Sequence, residues 1–80
     1  MHFTNQIKRI ERIDYLIRSR ATGTPVELAR KLQLSESQLY HTIKIMKDIW
    51  HAPIYYSRSE QRYCYGERVK FVCAFKETDS

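Results

Sequence analysis

Ser37, Gln38, Tyr40, His41, Lys44 and Lys47 stand close together in the middle of this chain. At helical spacing they fall on one polar side, with Glu36 at its start. The types suit contact with a nucleic-acid duplex. A glutamine carboxamide such as that of Gln38 pairs bidentately with adenine N6 and N7. His41 can donate to a guanine acceptor or to a phosphate. Ser37 and Tyr40 carry hydroxyls for bases or phosphates, and Lys44 and Lys47 are cations for phosphates further along. Each of these residues, taken singly, is also an ordinary polar surface residue. Glu36 is unfavourable beside phosphate and serves the helix dipole.

The elements that must position this set are marked at their starts. Thr24, Pro25, Val26 and Glu27 open a helix: a Thr N-cap, Pro at the first helical position, and Glu three residues after the cap. Leu28, Ala29 and Leu32 then share one face. Gln33 and Leu34 interrupt the pattern. Ser35, Glu36, Ser37 and Gln38 form a second capping box, and Leu39, Ile43 and Met46 make the buried stripe of the helix that follows. Two capped helices around so short a break predict a helix-turn-helix, whose second helix is placed to enter a DNA major groove.

Residues 24–46 also resemble the helix-turn-helix of DeoR-type winged-helix regulators and of the biotin operon repressor's DNA-binding domain, through the pattern LAxxLxLSxxxLxxxIxxM. The resemblance extends over roughly residues 7–66. It implies that Ala29 lets the two helices approach closely, that Leu34 plugs the core from the turn, and that Ser35 caps the recognition helix. It places Leu39, Ile43 and Met46 at core positions. Gln38 falls where the family often has Thr, Tyr40 and His41 where it often has Arg, and Gln33 where Gly is usual. The last departure implies a somewhat different turn.

Around this pair the chain reads as follows. Residues 3–21 are expected to form a first helix, with Ile7, Ile10, Ile13 or Asp14, Leu16 and Ile17 near helical spacing and Lys8, Arg9, Glu11, Arg12 and Arg18 on other faces. Gly23 is expected to end it in a left-handed conformation. The second and third helices are expected at about 25–33 and 36–50. Pro53, which lacks an amide hydrogen and disfavours helix at Ala52, closes the third. Ile49 and Trp50 are expected to pack against the first helix or the sheet.

A strand-type composition follows. Ile54, Tyr55, Tyr56 and Ser57, a polar break, and Tyr63, Cys64 and Tyr65 predict a β-hairpin wing over about 54–66, with Ile54, Tyr56, Tyr63 and Tyr65 facing the helices. Arg58 and Arg62 fall at its tip. There they suit a narrow minor groove, or equally serve solubility. A further strand is expected at about 69–75, apolar on both faces, which leaves one face and one edge for a partner chain. Residues 76–80 are a polar tail.

Length and charge set the outer bounds. Eighty residues make one domain, covering 1–80. So small a core is marginal alone, which favours a homodimer through the C-terminal strand. The net charge of +5 and pI near 9.4 favour a polyanionic partner without specifying one. No apolar run is long enough for a membrane and no secretory signal is present, so the cytoplasm is expected. Cys64 and Cys73 are expected as free thiols. They lack CxxC spacing and a histidine at metal spacing, so no metal site is expected.

An enzyme lacks its parts. With Gly23 and Gly66 the only glycines, there is no phosphate loop. The histidines stand in no nucleophile–base pattern, and Asp14 with Glu11 reads as salt-bridge surface rather than paired catalytic carboxylates. No cofactor is implied.

The sequence therefore predicts an α+β fold: a three-helix winged helix-turn-helix with a β-hairpin wing and an additional C-terminal strand. It predicts sequence-specific binding of double-stranded DNA by a small transcriptional regulator. The candidate contacts are Ser35, Ser37, Gln38, Tyr40, His41, Lys44 and Lys47 on the recognition helix, with Arg58 and Arg62 on the wing. No small-molecule effector domain is visible after the wing, as it would be in larger DeoR-type regulators. Two alternatives stay open: a winged-helix protein-interaction module, and an architectural or recombination accessory DNA-binding protein.

Overall fold

A computed structural model of the chain describes residues 2–72. Three helices, α1 (His2–Arg18), α2 (Pro25–Leu32) and α3 (Glu36–Asp48), precede an antiparallel hairpin of β1 (Ile54–Ser57) and β2 (Arg62–Tyr65). This is the expected α+β arrangement of a winged helix. No helix among the described residues is long and apolar enough to cross a membrane.

The core forms where the sequence periodicity puts it. Ile10, Ile13 and Ile17 of α1, Leu28 and Ala29 of α2, and Leu39, Ile43 and Met46 of α3 are buried together with Ile54 of β1. Leu16, Leu32, Ala52, Tyr63, Tyr65 and Phe71 pack around them. Ala29 sits buried on α2, where a small side chain suits close packing against α3. Leu34, expected as a plug, is half-buried.

The helix starts match the capping signals and the helix ends do not match the expected residues. Both capping boxes are present, Thr24 with Glu27 and Ser35 with Gln38. α1 stops at Arg18, before the expected Ala21, because Arg20 takes the left-handed conformation (φ 58°). The Arg20 amide donates to the Ile17 carbonyl and the Ala21 amide to the Leu16 carbonyl, the paired bonds of a Schellman cap. Gly23 is also left-handed (φ 69°) but serves the next turn. A Cβ there would lie 2.6 Å from Oε1 of Glu27, the oxygen that receives the Thr24 amide.

The same device ends α2. Gln33 takes φ 58°, with its amide on the Arg30 carbonyl and the Leu34 amide on the Ala29 carbonyl. Glutamine thus adopts the conformation that glycine would supply. α3 ends at Asp48, two residues short of Trp50, and His51 (φ 56°) turns the chain so that the Ala52 amide reaches the Met46 carbonyl. Ile49 is therefore 64% exposed rather than packed on α1 or the sheet. Trp50 meets Phe71 edge-to-face at 5.0 Å between ring centres.

In the hairpin Ile54 pairs with Tyr65, Tyr55 with Cys64, Tyr56 with Tyr63, and Ser57 with Arg62. Ile54, Tyr63 and Tyr65 face the helices as expected. Tyr56 shares their face but stays exposed, its ring standing edge-on to Tyr63 at 5.5 Å. The turn closes through the Ser57 hydroxyl, which accepts from the Glu60 amide at 3.2 Å, and through Gln61 at φ 54°. The strand expected at 69–75 is not seen over 69–72, and its remainder, with Cys73 and the tail at 76–80, lies outside the described residues.

Asp14 is not the surface carboxylate the sequence suggested. It is 2% exposed and accepts three hydrogen bonds: from Arg18 Nε at 2.9 Å, the Tyr65 hydroxyl at 2.7 Å and the Phe71 amide at 3.0 Å. One buried carboxylate on α1 thereby holds the second wing strand and the segment after it. The cost of desolvating it is offset only because all three donors are in place. Glu11 stays on the exposed side of the helix.

Candidate nucleic-acid interface

The N-terminal turns of α3 carry most of the candidate side chains, and their positions follow from the cap. Ser35 Oγ accepts from the Gln38 amide at 3.1 Å, while Gln38 Oε1 accepts from the Ser35 amide at 3.0 Å. These bonds fix the angle at which the chain enters α3. They also commit Gln38: its carboxamide folds back over the helix start, with Oε1 engaged by the Ser35 amide. A bidentate grip on adenine needs both Oε1 and Nε2. The cap therefore competes with the contact for which Gln38 was singled out. Ser35 likewise is occupied by capping.

Beyond the cap the exposed face is open. Ser37, Tyr40, His41, Lys44 and Lys47 are all exposed, Tyr40 at 65%. Thr42, on the opposite side, is buried and donates to the Gln38 carbonyl at 2.8 Å. Lys44 Nζ lies 3.5 Å from the Asp48 carboxylate, both side chains well exposed, so the pair is weak and easily exchanged for a phosphate. Lys47 stands in the last turn, where it also complements the helix dipole.

A shallow groove of about 440 Å³ runs from the start of α2 across the first turns of α3 to the wing. Ser37, Tyr40 and His41 line it together with Pro25 and Tyr63. Tyr63 is the member the sequence reading missed. Strand alternation correctly put it on the helix side of the wing, but nothing local says that it reaches the rim of that groove. Burial pushes its phenol above the ordinary tyrosine range, with Tyr56 and Tyr40 adding in the same direction. It is a neutral hydroxyl at any physiological pH.

The two wing arginines part company. Arg58 is exposed in the turn. Arg62 lies on the sheet face turned away from the core, its side chain 15% exposed, with Nε donating to Glu60 Oε1 at 2.9 Å and its terminal nitrogen on the same oxygen. It shares a cleft with Arg18 and Arg20 of the α1 end rather than with the α3 side chains. The structure thus brings Ser37, Tyr40 and His41 together, continues them along α3 with Lys44 and Lys47, and sets Arg62 apart.

Comparison with protein-family models, with curated proteins and with solved structures finds no match for this chain.

Proposed function

We propose that this chain binds double-stranded DNA sequence-specifically, with α3 in the major groove, and acts in the cytoplasm as a small transcriptional regulator of the DeoR-like winged-helix kind. One observation carries the reading: a doubly capped helix-turn-helix whose second helix leaves Ser37, Tyr40, His41, Lys44 and Lys47 exposed along one side. Hydroxyls and an imidazole lie at the helix start, where base edges are met, and cations lie further along, where phosphates run. The net charge of +5 supports association with a polyanion.

Titration of labelled duplex over a range of salt tests this. Each neutralised phosphate releases counterions, so log affinity should fall linearly with log salt, by about 0.9 per phosphate contacted. Selection of bound duplexes from a random pool should return a preferred sequence. A folded sample that binds no duplex at low salt would remove the proposal.

A protein-interaction role is the second reading, favoured by one observation. Tyr40 on α3, Ile49 just past its end and Tyr56 on the wing face shared with Tyr63 are large apolar or aromatic side chains left exposed. In the same assay that role gives no salt-dependent shift.

A further inference from the structure

Behind the wing, away from α3, lies a second cleft of about 740 Å³. The C-terminal turn of α1, the outward face of both strands and residues 66–70 form its walls. Its size is that of a small-molecule site, in the usual range of roughly 300–1,000 Å³. It shares no residue with the groove along α3.

Its charge is one-sided. Arg18, Arg20, Arg62, Arg68 and Lys70 line it against Glu60 and Glu67. Glu60 is engaged by Arg62, and Asp14 holds Arg18. Arg20, Arg68 and Lys70 pair with no carboxylate among the described residues. Cations from three separate segments of the chain repel one another in a concave site, and an anion placed there relieves that repulsion. One wall is aromatic: Tyr55, 48% exposed, sits on the outward face beside Cys64. The frame is fixed from below, since Asp14 ties Arg18 and Tyr65, both lining residues, to one carboxylate.

We propose that this cleft binds a nucleoside phosphate. Arg20, Arg68 and Lys70 take the phosphate oxygens, the guanidinium forks in bidentate fashion, and the base lies on the Tyr55 ring. The assignment does not rest on the DNA reading: none of its residues belongs to α3, and the three cations given to the phosphate, Arg20, Arg68 and Lys70, are not among the candidate DNA contacts.

Calorimetric titration of the whole chain with adenosine diphosphate at low salt tests it, with inorganic pyrophosphate and adenosine as the two halves of the ligand. Saturable binding of the diphosphate is expected, tighter than either half. Arg68→Ala with Lys70→Ala, both at exposed positions, should weaken it about tenfold or more. Tyr55→Ala should weaken the diphosphate and leave pyrophosphate unchanged. Lys44→Ala with Lys47→Ala should change neither. Absence of saturable binding overturns the proposal. So does an equal loss from the α3 lysine variant, which would mark a general attraction of a basic chain for anions. Pyrophosphate binding as tightly as the diphosphate would remove the nucleoside from it. No duplex enters this assay, so its failure and the failure of DNA binding are read separately.

Discussion

The Tyr65 hydroxyl donates to Oδ1 of Asp14 at 2.7 Å, across 51 residues of sequence. The same oxygen receives the Phe71 amide, and the other receives Arg18. Among the described residues it is the carboxylate that gives α1 a side-chain hydrogen bond to the wing.

Asp14→Ala should therefore destabilise the domain more than a surface substitution does. It leaves the half-buried Tyr65 hydroxyl and Phe71 amide without their acceptor; a fully buried unsatisfied group costs about 1–3 kcal/mol, and each of these, partly reached by water, costs less. Tyr65→Phe removes one donor and should cost less. Denaturant melts of both single variants and the double variant check this. A coupling of about 0.5–3 kcal/mol between the two sites is expected for residues in one network. Strict additivity would show that the bond contributes nothing.

The same bond predicts an alkaline limit. Burial, and then the hydrogen bond and charge of Asp14, push the Tyr65 phenol well above its ordinary value. Burial pushes Tyr63 the same way. A group whose value is raised on folding keeps its proton longer in the folded state. Its stabilisation is full below the unfolded-state value, about 10 for tyrosine, and is lost as pH rises beyond it. Denaturant midpoints should hold up to about pH 10 and fall as pH rises beyond it, and Tyr65→Phe should flatten that fall. An unchanged slope in the variant would place the alkaline transition elsewhere.

The helix starts and the core could be read from the sequence because their signals are local. A cap and its partner lie three residues apart, and the stripe through Leu39, Ile43 and Met46 repeats within one helix. The helix ends could not. Arg20, Gln33 and His51 take the left-handed conformations that favour glycine, and an arginine, a glutamine or a histidine announces no such thing. Asp14 was opaque for another reason. Its burial depends on Tyr65 and Phe71, which only the folded chain brings near. At the interface, the S-x-x-Q spacing that marks the cap is also what engages Gln38 Oε1, so one signal carried two conflicting roles. Arg62 showed its charge in the sequence, while its pairing with Glu60 depends on the shape of the hairpin turn.

Left-handed residues with side chains leave room for stabilisation. Gln33→Gly keeps the backbone conformation and removes the crowding of its Cβ, which costs roughly 1–2 kcal/mol in a left-handed residue, partly offset by the greater freedom of glycine when unfolded. A net gain of about 0.5–1 kcal/mol is expected, seen as a melting temperature several degrees higher. A lower melting temperature would mean that the Gln33 side chain makes a contact worth more than its conformational cost.

Gln38 separates capping from base reading. Gln38→Glu retains the acceptor for the Ser35 amide and suits the positive end of the helix dipole, so stability should hold or rise. It replaces the carboxamide donor with a charge that repels phosphate. Affinity for a selected duplex should therefore fall while the fold stays intact, and preference over random duplex should narrow by about 1–3 kcal/mol if Gln38 touches a base. Gln38→Ala should lose stability as well. Retained preference in Gln38→Glu would show that the residue serves the cap alone.

The wing arginines should behave unequally, because one is committed and the other is not. Arg58 is exposed in the turn, whereas Arg62 is bonded to Glu60 on the face away from the core. A phosphate contact by Arg58 would be lost in Arg58→Ala, lowering the salt slope by about 0.9. Arg62→Ala should leave the slope almost unchanged, since using that guanidinium on DNA first requires breaking its pair. Glu60→Gln supplies the complement. It weakens the hold on Arg62 and removes a negative charge beside the wing tip, so duplex affinity should rise and the slope steepen. Affinity measured across a salt series for the three variants decides. Equal flattening by Arg58→Ala and Arg62→Ala would mean that the Arg62–Glu60 pair opens when DNA arrives. No flattening by either would leave the wing in solvent and the contact to α3 alone.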